Sequence, residues 1–159
     1  MATQQLVPAL WFASEALKAA EFYVATFPDS ALVRTTRWPP GGPGPQGAVL
    51  TVEFELFGQS VTAMNGGVDK PFTEALSMTV LCDTQDEIDR YWDTLLAGGG
   101  APARCGWLTD RYGLSWQIVP TILRDLLNDP DPARAARVVA AMLQMVKLDI
   151  ATLQSAPNG

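Results

Sequence analysis

The chain has 159 residues, of which 48% are hydrophobic and 18% charged, so it is long enough and apolar enough to bury a substantial core. Its net charge of -6 at pH 7 argues against a general electrostatic grip on nucleic acid or on an anionic membrane. The sequence contains no histidine, which excludes sites of the Ser-His-Asp, Cys-His and HExxH kinds and removes the commonest metal ligand.

The two cysteines, Cys82 and Cys105, lack C-x-x-C spacing, so neither a disulfide framework nor a cysteine metal site is indicated. The first residues lack the basic region and apolar stretch of a secretory signal. No run approaches the roughly 18 apolar residues of a membrane span. We therefore predict a soluble cytoplasmic protein with reduced thiols and with neither a nucleic-acid nor a membrane partner.

The chain opens with the pattern of a strand followed by a helix. Residues 6–12 are apolar and of strand type. Ser14 is placed to cap the helix that follows, whose apolar residues recur at helical spacing. Those residues are Leu17, Ala20, Val24 and Phe27.

Three strands are predicted next, at residues 31–38, 48–56 and 60–64. The proline- and glycine-rich segment 41–45 has no Lys-Ser/Thr ending, and its prolines have no amide to donate. It therefore predicts a flexible surface loop rather than a phosphate-binding loop. Apolar and polar side chains alternate along 48–56, and the turn at 57–59 makes the last two strands a hairpin.

The same order of elements then repeats, which favours an internal duplication. Residues 77–82 predict a strand, and the segment 84–87 has the sequence of a capping box at the start of a helix. Strands at 104–110 and 114–119 follow. The helix carries an apolar stripe formed by Ile88, Tyr91, Trp92 and Leu95.

After Pro120 the pattern becomes helical. Residues 121–127 predict a short helix, Asp131 and Pro132 begin a longer one, and Asp149 caps a last short one. The longer helix has a methionine-rich apolar stripe, which packs in the core in the usual case but could equally contact a second copy of the chain. The stripe consists of Val138, Met142 and Met145.

Short motifs along the whole chain carry a family resemblance. They are Pro8-Ala9-Leu10-Trp11-Phe12, Glu21-Phe22-Tyr23, Met64-Asn65-Gly66-Gly67, Cys105-Gly106-Trp107-Leu108, Asp110-Arg111-Tyr112-Gly113-Leu114-Ser115-Trp116-Gln117, Asp129-Pro130-Asp131-Pro132 and Met142-Leu143-Gln144-Met145. Together they resemble the PhnB-like branch of the vicinal oxygen chelate superfamily, which includes glyoxalases, bleomycin and fosfomycin resistance proteins and extradiol dioxygenases. Members of this branch often carry the description 3-demethylubiquinone-9 3-methyltransferase, although no segment here resembles a glycine-rich S-adenosylmethionine site after a strand.

The resemblance implies an α+β fold of the glyoxalase and bleomycin-resistance type. Two βαβββ modules would form a cupped mixed sheet around one cavity, with C-terminal helices added. We place the paired modules within residues 1–120, at about 5–67 and 75–120, and the helical extension at 121–159 in the same domain. Strand alternation then predicts which side chains face the helices. These are Leu10, Phe12, Val80, Cys82, Trp116 and Ile118.

Metal-dependent relatives place His, Glu or Gln at one inward position on the first and last strands of each module. The corresponding residues here are Val7, Thr62, Ser77 and Gln117. Only Gln117 is a usual ligand type, whereas a divalent transition metal needs three or four converging imidazole, thiolate or carboxylate donors. We therefore predict no metal site and no cofactor.

Eight residues of the implied cavity are candidates for ligand binding. They are Trp11, Thr62, Met64, Asn65, Thr79, Cys105, Trp107 and Gln117. The two indoles suit stacking on a planar ligand, and the Gln117 amide suits a ligand carbonyl or hydroxyl. Asn65 begins a turn whose amides would be exposed at a strand edge. The plain alternatives are core packing for the indoles, a buried backbone partner for Gln117 and a simple turn at Asn65.

Catalytic residues cannot be named from the pattern. Glu53 could supply a base if its strand face points inwards, although a solvated face is the commoner place for such a residue. Cys105 has no histidine to activate it, and Arg104 is its one adjacent cation, so a reactive thiolate is the minority interpretation.

The function that these observations favour is a metal-free homodimer that binds a small, partly aromatic molecule, because the implied cavity is rich in tryptophan and lacks a catalytic base. The alternative is an enzyme of the same superfamily, either a methyltransferase, as the family description says, or a lyase or isomerase like the glyoxalases. A third hypothesis is an interaction module that works through the C-terminal helices.

Overall fold

The computed structural model describes residues 6–158. The chain divides into two units, one that ends at Pro71 and one that begins at Phe72. Each unit has a four-stranded mixed sheet and helices, which confirms the predicted α+β class of two βαβββ modules with added C-terminal helices. The six side chains predicted to face the helices are all buried.

The first unit contains one helix and four strands. Its elements in chain order are β1 (Ala9–Phe12), α1 (Ala16–Thr26), β2 (Ala31–Arg37), β3 (Val49–Leu56) and β4 (Gln59–Asn65). The strand order in the sheet is β1-β4-β3-β2, with β1 parallel to β4 and the other pairs antiparallel. The hairpin of the last two strands is therefore as predicted, and β2 forms one edge of the sheet.

The start of α1 differs from the prediction. Glu15, not Ser14, occupies the N-cap position and its side chain makes no capping hydrogen bond. The amide of Ala16 instead donates to Asn65 Oδ1 at 2.9 Å. Ser14 lies one residue too early to reach the orphan amides, so the cap comes from the end of β4.

The predicted apolar stripe of α1 is confirmed at Ala20 and Phe27, which are buried, but not at its other two residues. Leu17 and Val24 are only half-buried, while small residues and one tyrosine face the sheet. The Tyr23 ring stacks on Phe54 of β3, with 6.3 Å between ring centroids. The buried residues within the helix are Ala16, Ala19, Ala20 and Tyr23.

The second unit repeats this arrangement with shorter strands. Its elements are β5 (Ser77–Cys82), α2 (Gln85–Leu96), β6 (Ala101–Pro102), β7 (Trp107–Thr109) and β8 (Ser115–Pro120), and the sheet order is β5-β8-β7-β6. The strand predicted at 104–110 is wrong at its start. Cys105 and Gly106 have φ of 60° and 81°, a left-handed pair that makes a turn and cannot continue a strand.

Local sequence signals in this unit are confirmed. Thr84 and Glu87 form the predicted capping box, each side chain accepting from the other residue's amide. The stripe of Ile88, Tyr91, Trp92 and Leu95 is buried. Asp110 closes the turn before Gly113, since its carboxylate accepts from the amides of Tyr112 and Leu114 and from Trp116 Nε1.

The C-terminal helices belong to the second unit. They are α3 (Leu123–Leu127), α4 (Pro132–Met142), α5 (Ile150–Ser155) and a 3-10 turn (Ala156–Asn158), with Asp131 and Asp149 as the predicted caps. They enclose an apolar cluster of Leu123, Val138, Leu148 and Leu153, against which Met142 and Met145 pack. Val138 of the predicted stripe is therefore core, whereas the two methionines are half-buried against it.

Polar contacts tie this cluster to α2. Gln85 donates to Leu148 O at 3.1 Å and accepts from the amide of Ile150 at 2.9 Å. A hydrogen bond from Lys147 Nζ, 2.7 Å from Asp89 Oδ1, lowers the pKa of that carboxyl below its usual range. None of the helices within residues 6–158 has the length and apolar character needed to cross a membrane.

Candidate functional site

The first unit contains a cavity of about 890 Å³, which we call the tryptophan pocket. Its volume lies within the range of small-molecule sites. Its walls are Trp11, Trp38, Leu50, Met64 and Asn65, with residues 13–14, 43–45, 48–49 and 66–67. Three of the predicted ligand-binding residues, Trp11, Met64 and Asn65, therefore line one pocket.

Trp11 is held in place at three points. Its Nε1 donates to the carbonyl of Val68 at 2.9 Å. The ring lies so close to Gly66 that a Cβ atom there would be 1.7 Å from Trp11 Cζ2. Lys70 Nζ lies 4.6 Å from the ring centroid, within the range of a cation–π contact. The indole is thus a fixed wall of the pocket.

Trp38 and the loop that follows it were missed as functional residues by sequence reasoning. The Trp38 amide donates to Ala48 O and the Trp38 carbonyl accepts from the Gly47 amide, so the segment 39–47 closes on itself between β2 and β3. The indole lies against this loop, since a Cβ atom on Gly44 would be 2.3 Å from Trp38 Nε1. The proline–glycine pattern predicted the loop, but nothing in that pattern indicated that the loop would form a wall of a pocket.

The side chain of Asn65 and the amides of the two glycines after it are hydrogen-bonded within the protein. Asn65 accepts from Ala16 N and donates to Val49 O at 3.1 Å, so both ends of its amide are used. The amides of Gly66 and Gly67 donate to Phe12 O and to Ala13 O. The expected exposed amides at this strand edge are therefore already paired, and these residues shape the pocket through packing.

Thr62 lies on the open face of the first sheet but outside the tryptophan pocket. It pairs in register with Ala9 of β1 and with Glu53 of β3, and partners directly opposite share a face. Glu53 is half-buried there, with Arg34 Nε 4.0 Å from its carboxylate. Glu53 therefore lies on the face of the sheet that α1 does not cover.

The second unit brings three predicted residues onto one face of its sheet. Gln117 of β8 pairs in register with Thr79 of β5 and with Trp107 of β7. The Gln117 amide donates to Ser77 Oγ at 2.8 Å, so its side chain bridges two strands. Trp107 also lines a cavity of about 350 Å³ with Cys105.

The two thiols are not arranged as nucleophiles. Cys105 Sγ lies 3.6 Å from the carbonyl of Met142 and donates to it. Cys82 is fully buried, and burial, with the carboxylates of Glu87 and Asp83, raises the pKa of its thiol to about 12. A thiol with that pKa is protonated at neutral pH, so it supplies no thiolate.

The donor set does not fit the metal that metal-dependent relatives hold. Val7 is an apolar side chain, and Thr62 and Ser77 offer neutral hydroxyls in place of imidazole or carboxylate donors. Gln117 Nε2 donates to Ser77 Oγ, so the carbonyl oxygen of Gln117 is the one usual ligand atom among these four residues. Among residues 6–158, no group of three or more His, Cys, Asp or Glu side chains could hold a metal ion.

Sequence comparison gives one family. Residues 4–119 match the model of the family described as 3-demethylubiquinone-9 3-methyltransferase. That match stops before the helical tail, so it does not cover the motifs at 129–132 and 142–145. No curated protein is significantly similar to the chain.

Solved structures with the same fold include a member of that family. A protein from Bacillus cereus, described as a putative 3-demethylubiquinone-9 3-methyltransferase and PhnB protein, is 34% identical with a TM-score of 0.67, covering 74% of this chain and 100% of its own. A Pseudomonas aeruginosa protein is 19% identical with a TM-score of 0.61, covering 74% and 98%. The fosfomycin resistance protein FosX from Listeria monocytogenes, in complex with Mn(II) and sulfate, is 13% identical with a TM-score of 0.54, covering 80% and 98%.

Proposed function

The chain belongs to the 3-demethylubiquinone-9 3-methyltransferase family, PhnB-like proteins with the vicinal oxygen chelate fold, and on that basis we propose that it binds a small, partly aromatic molecule without a metal. The observation that carries this proposal is the tryptophan pocket. Two indoles, Trp11 and Trp38, form its walls with the apolar side chains of Leu50 and Met64. Aromatic walls of this kind favour stacking on a planar ligand.

Binding is tested by titrating the intrinsic fluorescence of the five tryptophans with a panel of planar aromatic molecules. We expect saturable quenching by at least one member. Trp38→Phe should weaken its binding a few-fold, because the smaller ring loses part of an aromatic contact that contributes roughly 0.5–1.5 kcal/mol. Calorimetry measures the affinity of each variant independently of the tryptophan fluorescence that the substitution removes.

Trp107→Phe is the matched control, because it removes an indole from the second unit and leaves the tryptophan pocket intact. Its affinity should equal that of the unsubstituted protein. Flat titration curves across the panel would contradict the proposed function. Equal losses in the two variants would place the binding elsewhere.

We also propose that the protein is a homodimer. The strand β2 supports this, since it lies at a sheet edge and all seven of its residues are exposed. Leu32 and Val33 on this strand are 41% and 57% exposed. Long exposed edge strands are usually covered or paired, and a second copy of the chain would cover this one.

An enzymatic role is the alternative, favoured by the family description and by the position of Glu53 beside Thr62 on the open face of the sheet. S-adenosylmethionine carries an ammonium and a sulfonium group, and the tryptophan pocket has no carboxylate to pair with either. The pocket therefore offers the ammonium group no ion pair. Calorimetry with S-adenosylmethionine and elemental analysis of the purified protein should both be blank, whereas heat of binding or a stoichiometric metal would favour the enzyme.

A further inference from the structure

The walls of the tryptophan pocket contain no ionisable side chain. They combine two indoles, aliphatic and proline side chains, glycine backbone, one hydroxyl and one amide. A charged group that entered would lose water without gaining a partner of opposite charge, which is unfavourable. The part of a ligand that enters should therefore be neutral.

Two cations lie beside the pocket walls, and each already has a partner. Lys70 Nζ lies over the Trp11 ring, and Arg37 donates to the carbonyl of Gly47 at 2.9 Å. Because these cations lie beside the pocket, they disfavour a cationic ligand more than an anionic one.

The walls are flat where the indoles lie. Gly66 and Gly44 allow the Trp11 and Trp38 rings to approach the backbone more closely than any residue with a Cβ atom would permit. Neither glycine has a positive φ, so the close approach of the ring, not backbone conformation, is what requires glycine at both positions. A planar molecule is the shape that complements such walls.

Two side-chain donors in the walls have no hydrogen-bond partner among residues 6–158. Trp11 Nε1 donates to the carbonyl of Val68, but Trp38 Nε1 donates no hydrogen bond to any residue of the described chain. The same holds for the hydroxyl of Ser14. A ligand that offers an acceptor would pair with one of these donors.

From these four features we propose that the tryptophan pocket selects an uncharged planar aromatic molecule that carries a hydrogen-bond acceptor. This inference rests on the proposed function, since it specifies the ligand class of the same pocket.

The test uses three probes of nearly identical shape: 2-naphthamide, which is neutral, 2-naphthoate, an anion, and 2-naphthamidinium, a cation. Calorimetry at pH 7 with the full-length protein measures each affinity. We expect 2-naphthamide to bind at least tenfold more tightly than either charged probe, because neither charge finds an oppositely charged partner in the walls.

The outcomes separate the two proposals. Binding of either charged probe as tightly as 2-naphthamide overturns the neutral ligand class while leaving the pocket a binding site. No binding by any probe contradicts the proposed function and this inference with it. The affinity for 2-naphthamide should also fall in Trp38→Phe, and an unchanged affinity in that variant would overturn the assignment to this pocket.

Discussion

At the scale of single residues, two glycines determine where the indoles of the tryptophan pocket stand. Gly66 adjoins the end of β4, where the neighbouring backbone is hydrogen-bonded to Phe12 and cannot easily move. Gly44 lies in the middle of an exposed loop that can adjust. The same added methyl group therefore has different consequences at the two positions.

Alanine substitutions measure this difference. Gly66→Ala should lower the free energy of unfolding by about 1–3 kcal/mol, because a Cβ atom 1.7 Å from Trp11 must displace a clamped ring. Gly44→Ala should change it by less than about 1 kcal/mol, since the loop yields, yet weaken 2-naphthamide binding several-fold by moving Trp38. Urea unfolding and calorimetry measure the two quantities.

Gly42→Ala provides the matched control within the same loop. Its Cβ atom would lie 3.0 Å from Trp38 Cε3, against 2.3 Å for the nearest ring atom at Gly44, and neither residue has a positive φ. We expect a smaller loss of binding than at Gly44. Equal losses at Gly42 and Gly44 would mean that the loop as a whole, not the contact at Gly44, sets the position of Trp38.

At the scale of secondary-structure elements, the C-terminal helices are part of the fold of the second unit. The backbone amides of Cys105 and Gly106 donate to Met145 O and Val146 O, and a Cβ atom on Gly106 would lie 3.0 Å from Leu148. Cutting the chain at Pro120 would remove these contacts and expose the unit's core. If the truncated protein failed to bind a partner, the cause could therefore be unfolding of the second unit as readily as removal of an interaction surface.

A pair of leucine substitutions tests this role. Leu148 is fully buried in the cluster and Leu143 is 48% exposed. Leu148→Ala should lower the free energy of unfolding by about 2–5 kcal/mol, as expected for a buried leucine. Leu143→Ala should change it by no more than about 0.5 kcal/mol. Similar small effects at both positions would show that the helices are dispensable for stability.

The elements that sequence analysis predicted well are those whose signals are local. The capping box at Thr84 and the stripe of α2 lie within one helix, and both were confirmed. The left-handed turn at Cys105 was not predicted, because a cysteine at positive φ carries no sequence signal. Trp38 was missed as a site residue for a related reason: its position depends on how the loop closes, not on strand alternation.

At the scale of the whole molecule, the family match and the second unit end at different places. The match stops at residue 119, whereas the second unit continues through the helices to the end of the described chain. The Bacillus cereus relative is covered completely by 74% of this chain. The helical tail is therefore an addition to the part that matches, and it contributes its own buried core.

Self-association also belongs to this scale. Light scattering of the full-length protein at micromolar concentration should give about twice the chain mass of 17.1 kDa. Val33→Lys should shift the mass towards the monomer, because lysine on an edge strand opposes pairing with another edge. Val139→Lys, at an exposed position on α4, is the control and should leave the mass unchanged. A monomeric mass for the unsubstituted protein would contradict the homodimer.

The capping of α1 by Asn65 has a consequence for the order in which each module folds. The cap of α2 lies three residues from the amide it satisfies, whereas Asn65 lies 49 residues from Ala16 along the chain. The entropy of closing that loop must be overcome before α1 gains its cap, so α1 is completed only once β4 is in place. The modules thus repeat an order of elements without repeating an order of folding: α2 is specified by its own sequence, and α1 is specified by the sheet.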